Sequence, residues 1–153
     1  MQQQSYRIEL PLLAEADTEA RLLGHDWIGP EHLLLSVAAK PGGVSRAFFE
    51  RHQLSLQSLR ESVAALVGPS IRAVRDEQPL TISLRAHLAL AHALGVSRGK
   101  SDPAFTHDQL LVALLADDVA GDAVVGAVLE ERTGVSAQEA RAELAALTAD
   151  RDA

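Results

Sequence analysis

No cysteine occurs among the 153 residues, which excludes disulfides and thiolate metal sites and leaves the redox compartment open. Aromatic residues are nearly as scarce, 3% of a chain that is 47% hydrophobic. The core must therefore be aliphatic and rich in alanine, a composition that suits closely packed helices. Positive charge is in short supply too: 14 Lys and Arg against 21 Asp and Glu give a net charge of −7. That balance argues against a nucleic-acid surface, which would present a basic face. No run approaches the roughly eighteen apolar residues of a membrane span, and Met1-Gln2-Gln3-Gln4-Ser5 has neither a basic nor an apolar leader region. The expectation is a cytoplasmic protein that contacts no membrane.

The usual chemical signatures are also missing. Gly95-Val96-Ser97-Arg98-Gly99-Lys100-Ser101 resembles a phosphate loop, but only three residues separate its glycines where four are needed, and it follows a helical pattern instead of a strand. His87 and His92 are five apart and so do not share the i,i+4 face of a helical zinc site. His25 and His32 flank a turn near Asp26 and Glu31 without a recognised ligand spacing. There is no Gly-x-Ser-x-Gly elbow. Neither an enzyme nor a metal or cofactor site is expected.

The chain is organised around Gly24 to Val37. Gly24 stops one helix, the chain turns through Trp27 and Ile28, and Gly29-Pro30 opens another, with proline at the first helical position where its missing N–H costs nothing. Leu33, Leu34, Leu35 and Val37 cover too wide an arc for a surface helix and mark a core element. The pattern recurs: Leu33, Leu34, Leu35 and Val37 map onto Leu110, Leu111, Val112 and Leu114, and Glu31 onto Asp108. Upstream, Leu13, Ala14, Ala16 and Gly24 pair with Leu88, Ala89, Ala91 and Gly99; downstream, Ala47, Ser55, Gln57 and Arg60 pair with Ala127, Ser136, Gln138 and Arg141. Matches in order across both halves indicate an internal duplication.

Eight helices follow from periodicity and punctuation, with no strand. Helix one runs from Pro11 to about Leu23, helix two from Pro30 to about Ala39, helix three from Val44 to about Arg51 with Phe48 and Phe49 as anchors, and helix four is capped by Ser55 with Leu56, Leu59, Val63 and Leu66 inward. Thr81 is expected to cap helix five, with Leu84, Leu88 and Ala91 along its inner side. Thr106-x-x-Gln109 and Ser136-x-x-Glu139 are capping boxes for helices six and eight, and helix seven spans about Asp122 to Arg132. Thr148 to Ala153 is expected to fray. The fold class is all-α, a single domain of two pseudo-twofold four-helix repeats, about 5–68 and 80–148, joined by a linker at 69–79.

Glu31 and Asp108 have two readings. Each stabilises a helix N-terminus, worth ~0.3–1 kcal/mol, or each offers a carboxylate at a notch to a cationic, arginine-derived group on a partner. Leu13 and Leu80, at the starts of helices one and five, could form an apolar groove between the halves.

Ala20 to Leu35, with its Gly24-His25-x-x-Ile28-Gly29-x-Glu31-His32 core, resembles the first repeat of the Clp N-terminal domain of ClpC-type and ClpA/ClpB-type unfoldases, and Pro79-Leu80-Thr81 resembles the start of the second. The likeness covers residues 5–148. It implies an all-α domain that binds substrates and adaptor proteins for ATP-dependent unfolding and proteolysis. By resemblance, Glu31 and Asp108 match the carboxylates that recognise phosphoarginine in some relatives, and Tyr6 and Thr81 match the accompanying hydroxyl positions. Leu13, Asp17, Leu80 and Arg85 match a groove that takes cyclic-peptide antibiotics. The second repeat departs from the pattern, with Phe105-Thr106-His107-Asp108-Gln109 in place of Ile-Gly-Thr-Glu-His, and Leu80 stands where an aromatic is expected. With ATPase modules absent, Met1 at its start and a short charged tail, the chain is expected to be a standalone accessory, regulatory or decoy component that binds Clp components, adaptors or degradation substrates. The alternatives are a small-molecule sensor using an apolar groove between the halves and, against the acidic balance, a helix-turn-helix regulator.

Overall fold

The computed structural model describes residues 10–68, 79–96, 106–115 and 124–152. Eight helices lie among them: α1 Leu10–Leu22, α2 Pro30–Ala39, α3 Gly43–Arg51, α4 Leu56–Val67, α5 Leu84–Val96, α6 His107–Leu114, α7 Val124–Thr133 and α8 Ala137–Asp152. The Gly-Pro, Ser55, Thr106 and Ser136 start signals all operate. Ser55 Oγ accepts from Ser58 N–H, and at the two capping boxes Gln109 and Glu139 reach back to the amides of Thr106 and Ser136.

One aliphatic cluster unites the helices on both sides of residues 69–78. Leu33, Leu34, Leu35 and Val37 of α2 and Leu110, Leu111 and Leu114 of α6 are fully buried in it, with Phe48, Leu59, Leu90, Leu129 and Leu144. The apolar arcs read from α2 and α6 are thus core arcs, and α2 and α6 pack on each other at the centre. Burial of each such side chain is worth about 1.5–3 kcal/mol.

Five details differ from the sequence reading. Two short strands, β1 Trp27–Ile28 and β2 Thr81–Ile82, pair in parallel, and Ser83 N–H continues the ladder to the Ile28 carbonyl at 2.9 Å. Two residues are too few to show a period of two in sequence. Thr81 is consequently a strand residue, and Ser83 caps α5, its Oγ accepting from Ala86 N–H at 3.1 Å. That later start sets a different inward face on α5: Ala86, Ala89, Leu90 and Ala93 are buried, while Leu84 and Leu88 are 73% and 45% exposed. Leu66 also turns outward at the end of α4. Finally, the helix that was expected to fray at Thr148 continues to Asp152, with Thr148 Oγ1 donating to the Leu144 carbonyl at 2.8 Å.

Candidate functional site

The two carboxylates singled out by the duplication occupy the same position in their helices, second after the cap. In α2 the order is Gly29 (cap), Pro30, Glu31, His32; in α6 it is Thr106 (cap), His107, Asp108, Gln109. The next residue in each case reaches back to the cap amide: His32 Nδ1 accepts from Gly29 N–H at 2.9 Å, and Gln109 Oε1 from Thr106 N–H at 2.9 Å. The imidazole thus takes the part that a Gln or Glu plays in an ordinary capping box.

Around Glu31 that substitution builds a network. Because His32 Nδ1 receives a backbone proton, its own proton sits on Nε2 and is donated to His25 Nδ1 across 2.7 Å; His25 then donates Nε2–H to the Gly68 carbonyl at 2.5 Å. Both rings are neutral in this arrangement. Burial, reinforced by the charge that His25 could carry, lowers the His32 pKa to about 3. Trp27 stacks on His25 at 4.4 Å between centroids and donates its indole Nε1–H to Glu31 Oε2 at 3.1 Å. Glu31 itself is only 5% exposed. It lies so close to Gly29 that a Cβ there would stand 2.6 Å from its Oε1, so this glycine makes room for the carboxylate. The possible metal cluster of His25, Asp26, Glu31 and His32 is instead a relay in which every imidazole nitrogen already has a partner. Among the described residues no group of three His, Asp or Glu side chains could hold a metal ion.

Asp108 is employed differently. It crosses to the opposite half and caps α3: its Oδ1 accepts from Ser45 N–H at 2.8 Å and from the Ser45 hydroxyl, and its Oδ2 from Val44 N–H at 3.2 Å. The cap residue of α3, Gly42, has no side chain to do this, and a Cβ on it would meet the Asp108 carboxylate at 2.6–2.7 Å. Two helix N-termini thus share one carboxylate, the arrangement their dipoles favour. The notch expected at Asp108 is filled by protein donors. Beside it, His107 Nε2 is buried without a hydrogen-bond partner among the described residues, and burial lowers its pKa against the opposing pull of Glu15 and Asp108.

The remaining candidates are placed as follows. Leu13 on α1 and Leu80 before β2 are half-buried and pack against the common core. Asp17 accepts from Arg21 Nε at 2.6 Å, one turn along α1. Arg85 is exposed on α5, Thr81 is exposed in β2, and Tyr6 lies outside the described residues. The hydroxyl at the start of α5 is that of Ser83, two residues beyond the one matched by resemblance. A charged residue that the pattern did not single out is Glu19, 4% exposed on α1, which receives Arg60 of α4 through two bonds of 2.7 and 2.8 Å. A carboxylate on the inner arc of a helix, between Ala16 and Ala20, was the available signal.

Comparison with known proteins agrees with this architecture. The curated ClpA homologue of Porphyra purpurea, an ATP-binding subunit of an ATP-dependent Clp protease, is 29% identical over 84% of this chain, and chloroplastic ClpC1 of Arabidopsis thaliana is 30% identical over 75%. The chain spans 15% and 12% of their lengths. The N-terminal domain of the ClpD chaperone of Arabidopsis thaliana superimposes with a TM-score of 0.65 at 20% identity, covering 88% of each chain; that of Hsp104 from Candida albicans gives 0.63 at 17%, covering 92% of this chain and 88% of the other. Residues 11–131 match the Clp repeat (R) N-terminal domain, and the chain belongs to that family.

Proposed function

We propose that this chain is a non-enzymatic recognition module of Clp-dependent proteolysis. It binds substrate or adaptor proteins as an accessory, regulatory or decoy component in the cytoplasm. Family membership over residues 11–131 carries this reading. Two helical repeats, about 5–68 and 80–148, would present the binding surfaces, with Glu31 as the residue that receives the guanidinium of an arginine-derived group such as phosphoarginine. Its carboxylate has one donor among the described residues, the Trp27 indole, and lone pairs to spare. Asp108, with three donors of its own, is the weaker candidate, since a ligand would have to displace two helix amides. A groove for cyclic peptides near Leu13, Asp17, Leu80 and Arg85 is a further surface of the same kind.

Capture from lysate on the immobilised chain tests the general reading: Clp subunits, adaptors or degradation substrates should be retained, and recovery of none of them would refute it. Titration with labelled phosphoarginine tests the finer one. Glu31→Gln should abolish that binding while changing stability by no more than ~1 kcal/mol. Binding that survives the substitution would move the ligand elsewhere.

A further inference from the structure

A second candidate surface lies in the first half. Between the end of α2, α3 and the start of α4 lies a pocket of about 160 Å³ with Phe49, Leu54 and Leu56 on its apolar side and Arg46 and Glu50 on its polar side. The matching positions of the second half carry smaller residues. Ala47 corresponds to Ala127 and Ser55 to Ser136, the latter two each capping a helix, so Arg46 and Leu56 correspond to Gly126 and Ala137. In the second half those two positions hold small residues lying close together, a Cβ on Gly126 standing 3.4 Å from the Ala137 Cβ. In the first half the same positions carry side chains that line an opening.

The chemistry of the lining is specific. Arg46 is exposed, and among the described residues no carboxylate lies within ion-pair distance of it. Glu50, one turn further on, is not bonded to it; with arginine on the N-terminal side, this is the weaker order for a helical ion pair. A guanidinium binds a carboxylate through two parallel bonds, and the neighbouring Glu50 can accept an amide N–H. The volume is well below the ~300–1,000 Å³ of sites that enclose whole small molecules, yet suits one branched aliphatic side chain.

We propose that this pocket binds the carboxy-terminal residue of a partner polypeptide ending in leucine or a similar aliphatic residue. The terminal carboxylate lies on Arg46, the terminal amide N–H faces Glu50, and the side chain rests on Phe49, Leu54 and Leu56. The surface shares no residue with the Glu31 or Asp108 sites, so it stands or falls independently of the cation reading.

Fluorescence anisotropy of the full chain with a labelled Gly-Ser-Gly-Ser-Gly-Leu peptide tests it. The free acid should bind saturably, and the carboxamide about tenfold or more weaker. Arg46→Gln should give a loss of similar size for the acid alone, and Arg46→Lys should restore part of it, with an unchanged melting temperature showing that both variants fold. Equal binding of acid and amide, binding indifferent to Arg46→Gln, or no saturation at millimolar chain would overturn the proposal. Competition by free leucine as effective as by the peptide would overturn it as well, in favour of a free amino acid.

Discussion

Glu31 and Asp108 hold the same helical position in the two halves, yet they do different work. Glu31 stays beside its own helix, sheltered by Gly29 and touched by the Trp27 indole. Asp108 leaves its helix and ties α6 to α3. The difference arises from neighbours more than from the carboxylates. Gly42 leaves α3 without a side-chain cap and leaves space for one from elsewhere, while His32 in place of Gln109 builds the imidazole relay beneath Glu31. Equivalent helical positions thus carry carboxylates with different partners: Asp108 binds the amides of a second helix, and Glu31 is touched by the Trp27 indole.

This comparison can be broken at several points. The largest effect should be on acid stability. The folded His32 pKa of about 3 lies below its unfolded value of 6.5, so between these values the unfolded chain binds more protons. Stability is complete above pH 6.5 and falls as pH drops toward 3, by up to ~1.4 kcal/mol per unit from this group. His32→Gln, which installs the second half's solution, should flatten that slope in urea titrations run at several pH values. Next comes the clasp: Asp108→Ala should cost about 1–3 kcal/mol in denaturant unfolding, and Asp108→Asn less, because one amide oxygen can still accept from α3. A steeper loss for Glu31→Ala than for Asp108→Ala would reverse the assignment of roles. Ser83→Ala should cost about 1 kcal/mol as a lost cap. Thr81→Ala, at an exposed strand residue, should change stability by less than ~0.5 kcal/mol.

Most of the helices were legible because their signals are local. Gly-Pro at residues 29–30, the capping boxes at Thr106 and Ser136, and the leucine runs of α2 and α6 declare themselves within a few residues of chain. What escaped was decided across the fold. The pairing of Trp27 and Ile28 with Thr81 and Ile82 joins segments more than fifty residues apart, and it delays α5 until Ser83. The inward face of α5 then passes to Leu90 and to Ala86, Ala89 and Ala93, alanines whose small volume lets helices approach. At the candidate sites, the sequence identified Glu31 and Asp108 as equivalent. It held no sign that Asp108 would serve α3, since the Ser45 and Val44 amides it binds look like any others. Nor did the spacing of His25 and His32 reveal that the two rings bond to each other.

Gly68 adopts a left-handed conformation, with φ of 76°, as the chain leaves α4. Its carbonyl is anchored through His25 and His32 to the amide of Gly29, the cap of α2. The closing residue of α4 is therefore tethered to imidazoles seated deep within the first half, and a disturbance at either ring would be felt at Gly68.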